Sequence, residues 1–187
     1  MPVNQIIEEI LGAYETCGDL DYGENISMRE HMLQTACLAE RDSRDERVIV
    51  AALLHDYGHL ICNLPNNIFS DGKDNFHETV GARALENWFD AEIVGAVRLH
   101  VDAKRYLCAT NPKYIARLSD ASITTLAVQG GPMNREEMLG FREQVGYEMS
   151  LVVRVYDDLG KEPNMSRPEL DYYVPMLRRC LSSGPSA

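Results

Sequence analysis

No stretch of this chain is apolar for anything near the ~20 residues that a membrane-spanning helix needs. Residues 1–20 also lack the basic-then-apolar order of an export signal. A membrane protein and a secreted precursor are both set aside, and the expected compartment is the cytoplasm. Cysteine is sparse as well. Cys17, Cys37, Cys62, Cys108 and Cys180 are odd in number, scattered, and form no Cys-x-x-Cys pair, so neither a disulfide framework nor a thiolate zinc site is expected. Basic residues are in deficit: 18 Lys and Arg face 29 Asp and Glu, leaving a net charge of −11. That balance excludes non-specific binding to nucleic acid or to an anionic membrane, both of which need a basic face. Any anionic ligand must therefore be drawn in by a local group of cations. Period-two alternation, internal repeats, low-complexity tracts and domain linkers are all missing from the sequence.

What is present is helical periodicity. Apolar residues recur at three- and four-residue spacing almost throughout, which predicts an all-α fold. At 187 residues the chain is expected to form one domain over 1–187, large enough to bury about 70% of its extended-chain surface. Residues 182–187 are expected to be a frayed tail. The spacing predicts helices over 3–17, 28–41, 45–61, 75–88, 90–103, 111–128 in one or two pieces, 134–159 with a break near Gly140, and 169–182. The first and last read as outer helices, with Pro168 suited to a first helical turn. Ser27-Met28-Arg29-Glu30 has the form of a capping box and sets the start of the helix carrying His31. Asp120 reads as the cap of the helix that follows it. The segments 62–75 and 129–134 are turn-rich.

All five histidines have a place in this pattern. His31, His55, His77 and His100 occur one per expected helix, and His59 lies one turn beyond His55 on the same face. Each falls on the apolar side of its helix. In AALLHDYGHLI (residues 51–61), His55, Asp56 and His59 point inward with Val48 and Ala52. Unpaired polar groups in such a place are costly. Imidazoles and carboxylates converging in a core are the donor set of a divalent metal, whose charge offsets their desolvation.

The order His31, His55-Asp56, His77, His100, Asp157 resembles the motif of the HD-domain superfamily, an all-α metal-binding fold, and the resemblance covers essentially the whole chain. It implies that Asp56 bridges two metals, with His31, His55 and Asp157 on one ion and His77 and His100 on the other. Asp158 reads instead as a solvated carboxylate at a helix end.

Dinuclear centres of this superfamily support phosphoester hydrolysis or dioxygen activation by an Fe(II)/Fe(III) pair, so the surrounding residues must decide. Lys104 follows His100 by four residues, Arg154 precedes Asp157 by three and His59 follows His55 by four. Each is one helical turn from a metal-ligand candidate, which predicts an anion pocket inside an acidic protein. Ser122 and Thr125 could add hydroxyl groups. The chain is similar on these residues to short di-iron oxygenases that cleave the carbon–phosphorus bond of 1-hydroxyphosphonates. That likeness implies two irons, O2 as co-substrate, and a hydroxyphosphonate bound by His59, Lys104, Ser122, Thr125 and Arg154. It further implies an upstream hydroxylase, functionally linked, that supplies the substrate, and a product of glycine betaine or glycine according to the amine head group. Glu24, seven residues before His31, matches a glutamate held over the iron. Tyr22 stands next to it but is separated only by Gly23, a shorter spacing than the family's. Asn66, Asn67, Asp71 and Asp74 are candidates to face the amine, and a trimethylammonium group is favoured. A dinuclear phosphohydrolase and a non-catalytic metal-containing sensor are the alternatives.

Overall fold

A computed structural model of the chain describes residues 1–61 and 75–182. Asn66, Asn67, Asp71, Asp74 and Cys62 lie outside the described residues. Among those described there are eleven helices and no strand, only two isolated bridges, Asp21 with Ser27 and Phe89 with Leu181. The helices are α1 (Val3–Cys17), α2 (Met28–Asp42), α3 (Glu46–Leu54), α4 (Tyr57–Ile61), α5 (His77–Leu85), α6 (Ala91–Thr110), α7 (Pro112–Ile115), α8 (Asp120–Val128), α9 (Arg135–Arg142), α10 (Tyr147–Leu159) and α11 (Leu170–Cys180).

The longest helix, α6, forms the axis. It packs along α10 on one side and α5 on the other, while α2 and α3 pair with each other and close against α10. The outer helices α1 and α11 touch one another and cover α4 and α3 respectively. The main core between these layers includes Ile10, Met32, Leu33, Leu53, Leu54, Ile93 and Leu177, all fully buried. A smaller cluster of Leu99, Ala103, Tyr106, Met133 and Phe141 sits under α9. No described helix is long and apolar enough to cross a membrane.

Several boundaries have clear local causes. Ser27 and Glu30 form the expected capping box at the start of α2: the Ser27 side chain accepts from Glu30 N–H while the Glu30 carboxylate accepts from Ser27 N–H at 2.7 Å. The cap of α8 is Ser119 rather than Asp120, its hydroxyl accepting from Ser122 N–H; Asp120 is the first helical residue. The break in the 134–159 stretch falls at 143–146, not at Gly140. Gly146 caps α10 at φ 86°, and a Cβ there would lie 2.6 Å from the Ala96 nitrogen, so only glycine lets α10 start against α6. The helix through 45–61 is interrupted at His55 and Asp56, which separate α3 from α4. Pro168 lies before α11, whose cap is Glu169. Ser182, expected to fray, donates its N–H to the Trp88 carbonyl at 2.8 Å.

Candidate metal centre and anion pocket

Five elements deliver the predicted donors to one point. His31 comes from α2, His55 and Asp56 from the break between α3 and α4, His77 from the first position of α5, His100 from α6 and Asp157 from the last turn of α10. All six are buried, His31 and His55 completely.

The orientation of the rings is set from behind. His31 Nδ1 meets the Gly160 carbonyl at 2.8 Å, His55 Nδ1 the Ala52 carbonyl at 2.8 Å and His100 Nδ1 the Val97 carbonyl at 2.7 Å. His77 Nδ1 lies 2.9 Å from Asn75 Oδ1. A carbonyl can only accept, so each Nδ1 carries the proton and each Nε2 turns a lone pair inward. Two pairs result: His31 Nε2 and His55 Nε2 are 3.1 Å apart, as are His77 Nε2 and His100 Nε2. Asp56 stands between them. Its Oδ1 is 3.3 Å from His77 Nε2 and 3.4 Å from His100 Nε2, while its Oδ2 is 3.4 Å from His55 Nε2 and 3.6 Å from His31 Nε2. Asp157 joins the first pair only, with Oδ1 3.4 Å from His31 Nε2.

Facing lone pairs repel unless a cation lies between them, and the spacing suits a metal. Donors about 2.1 Å from a common ion and at right angles stand about 3 Å from each other. His31, His55 and Asp157 offer ligand atoms that all lie within 4.8 Å of one another, and so do Asp56, His59 and His77. The second grouping brings in His59. His100 belongs there too, on its distances to His77 and Asp56. His59 stacks on His77 with ring centroids 4.0 Å apart, and its buried Nδ1 has no hydrogen-bond partner among the described residues.

With no metal ion between the rings, a proton takes its place on His55 Nε2. Burial works against a charged His55, but Asp56 and Asp157 outweigh it and carry the ring up to about 9. Burial likewise opposes ionisation of Asp56 and Asp157. His55 and other ring contacts hold Asp56 well below the usual carboxylate range, and Arg154 with His31 does so for Asp157. Burial and the neighbouring His77 keep His59 neutral.

Beside the metal centre a cavity is lined by Tyr22, His59, Lys104, Ser122, Thr125 and Arg154, together with His77, His100 and Asp157. The three residues expected to form an anion pocket thus share one space, Lys104 and Arg154 as basic side chains and His59 as a neutral ring. Arg154 is fixed on three sides, to Asp157 Oδ2 at 2.7 Å, to Asp158 and to Tyr114 Oη at 3.1 Å. Asp158 is therefore half-buried and paired, also accepting from Tyr114 Oη at 2.5 Å, and is not the solvated carboxylate expected. Lys104 Nζ donates to Thr125 Oγ1 at 2.8 Å; burial, and the nearby Arg154, lower this amine to about 7.

The two residues before α2 behave differently. Tyr22 stacks on His31, with centroids 3.8 Å apart and ring planes nearly parallel, and forms part of the cavity wall. Glu24 does not line the cavity; its Oε1 is buried with no hydrogen-bond partner among the described residues. Sequence reasoning missed Lys161, Asn75 and Gly160. Lys161 lines the cavity and follows Asp157 by four residues, the spacing by which Lys104 follows His100. Gly160, which ends α10, masked that signal.

An all-α fold that brings imidazoles and carboxylates from five elements around a buried centre defines a metal-binding protein of the histidine–aspartate type. The chain belongs to the HD-domain family, whose model matches residues 28–128. It is 44% identical over 93% of its length to a glycine-betaine-forming 1-hydroxy-2-(trimethylamino)ethylphosphonate dioxygenase of Leisingera caerulea, covering 89% of that protein. It is 35% identical over 88% of its length to a hydroxymethylphosphonate dioxygenase of Gimesia maris, covering 82% of it. An uncharacterized protein of Acanthamoeba polyphaga mimivirus is 38% identical over 95% of the chain and 83% of its own length.

Proposed function

We propose that this protein is a di-iron oxygenase that uses O2 to cleave the carbon–phosphorus bond of a 1-hydroxyphosphonate, releasing phosphate and a carboxylate. The observation that carries this reading is the division of Asp56 between two outward-anchored imidazole pairs at the wall of a cationic cavity. His31, His55 and Asp157 would hold one ion, His77 and His100 the other, with Asp56 shared between them. His77 and His100 stand on the cavity side of Asp56 and line the cavity with it, so an ion held there would be the one open to exogenous ligands. When bound, a pair of irons at unequal oxidation states supplies the dioxygen-activating chemistry.

The overall conversion balances: R–CH(OH)–PO3H2 plus O2 gives R–COOH plus H3PO4. The C–H and C–P bonds break, the substrate loses four electrons and O2 gains them. The chain's part is orientation. Lys104 and Arg154 neutralise the phosphonate and fix its direction, Ser122 and His59 supply polar contacts, and burial excludes water. For the head group, the similarity to the glycine-betaine-forming dioxygenase and the apolar surface that Met28, Val101 and Val128 add to the cavity support a trimethylammonium, whose methyl groups ask for contact rather than hydrogen bonds.

The test is iron-loaded enzyme with 1-hydroxy-2-(trimethylamino)ethylphosphonate, following O2 uptake, phosphate release and glycine betaine. Low-temperature paramagnetic resonance should show the spin-1/2 signal of a coupled Fe(II)/Fe(III) pair. Phosphate release without oxygen, or higher activity with manganese or cobalt, would instead make the protein a dinuclear phosphohydrolase.

A further inference from the structure

Ser122 and Thr125 both line the cavity, and their hydrogen bonds assign their hydroxyls opposite jobs. Thr125 Oγ1 accepts from Lys104 Nζ at 2.8 Å and gives its one proton to the Ser122 carbonyl at 3.1 Å. It has no proton left for a substrate. Ser122 Oγ is the reverse case. It accepts from Lys161 Nζ at 2.9 Å and from Ser119 Oγ at 3.2 Å, and Ser119 Oγ in turn accepts from Ser122 N–H at 3.2 Å, which sends the Ser119 proton towards Ser122. Both lone pairs of Ser122 Oγ are engaged, so its own proton is the one free to point at a ligand.

Lys161 is well held for this. Gly160 on one side accepts from His31, and on the other side Glu162 is bound twice by the Gln34 amide, N–H to Oε1 at 3.0 Å and carbonyl from Nε2 at 3.0 Å. From that fixed backbone the lysine reaches across to α8, passing over the Tyr22 ring with Nζ 5.5 Å from its centroid. An ammonium at that distance is attracted to the ring face. One side chain therefore joins the end of α10, the segment before α2 and the start of α8 around the cavity.

Resting on the phosphonate reading of the cavity, we propose that Lys161 is a positioning residue of the phosphonate subsite, fixing the Ser122 hydroxyl as donor to a substrate oxygen while holding the Tyr22 ring over the cavity. Thr125 then serves Lys104 rather than the substrate. Losing a hydrogen bond to a charged group corresponds to an affinity loss of about 10- to 100-fold.

The experiment is calorimetric titration of 1-hydroxy-2-(trimethylamino)ethylphosphonate into the iron-loaded full chain under anaerobic conditions, so that binding is read without turnover. Lys161→Met should weaken binding about 10- to 100-fold with unchanged iron content, and Lys161→Arg should restore much of it. Ser122→Ala should cost a similar factor, and the double variant should bind no worse than about threefold below the weaker single one, since the two residues act in series. Binding by Lys161→Met within about twofold of the parent, additive losses in the double variant, or loss of iron from Lys161→Met would each overturn the proposal. So would failure of the parent to bind the phosphonate at all. Tight binding followed by no turnover in oxygen would sink the oxygenase reading alone.

Discussion

Gly160→Ala tests how the protein orients His31, the first imidazole of the candidate metal centre. Gly160 has φ −78°, so an alanine meets no backbone strain there; the obstacle is space. An added Cβ would sit 2.6 Å from Thr35 Oγ1 and 3.0 Å from Thr35 N, where ordinary contact begins at 3.4 Å. The end of α10 must then retreat from α2 by roughly 0.8 Å. Along the bond from His31 Nδ1 to the Gly160 carbonyl, now 2.8 Å, that shift gives about 3.6 Å, which is no longer a hydrogen bond. Crowding of this kind costs about 1–3 kcal/mol, or roughly 2–4 °C of melting temperature per kcal/mol for a chain of this size. An unanchored ligand imidazole loses about 10- to 100-fold in metal affinity. Thermal melting of the metal-free protein and competitive metal titration separate the two effects. Thr35→Ala in the same background removes the 2.6 Å clash and leaves the 3.0 Å one, so it should recover part of both losses. A Gly160→Ala protein that melts and binds metal like its parent would refute the reasoning.

Among the described residues, Asp56→Ala removes the one carboxylate that faces both imidazole pairs, and metal analysis should find at most one ion per chain; two retained ions would disprove the bridging role. Lys104 gives a pH signature. Its native pKa of about 7 lies below its unfolded value near 10.4, so between those values the unfolded state binds more protons and Lys104 makes stability rise with pH. Binding a dianionic phosphonate requires the ammonium, so affinity should fall as pH rises through 7, with proton uptake seen as buffer-dependent heats at pH 8; Lys104→Met should abolish that uptake. Asn75→Ala removes the support of His77 while Glu78 Oε2, 3.6 Å from the same Nδ1, replaces it poorly. Affinity for the second ion should drop about tenfold with the first unchanged, as measured by stepwise metal titration.

The donor set was legible because periodicity places a residue on a helix face, and His31, His55, His77 and His100 each fall on a buried face. Lys104 and Arg154 were legible for the same reason, one turn from candidate ligands on continuous helices. Lys161 escaped because it stands beyond Gly160, where the helical wheel no longer applies. Asp158 was misjudged because its burial depends on Tyr114, 44 residues away, and nothing local announces such a partner. The break at His55 and Asp56 was equally hidden: the residues before it are apolar and helix-compatible, no proline marks the interruption, and the nearest glycine, Gly58, falls inside α4. Thr125 belonged to the right group, but the direction of a hydroxyl proton is fixed by neighbours in space.

Three of the four supporting acceptors behind the rings are main-chain carbonyls, contributed by Gly160, Ala52 and Val97. Substitution at Ala52 or Val97 leaves the oxygen in place, so evolutionary drift has little purchase on His55 or His100, whereas the support of His31 depends on the space that Gly160 leaves beside Thr35. His77 alone leans on a replaceable side chain, Asn75. A descendant seeking a different redox balance could retune one half of the centre by a single codon there and inherit the other half intact.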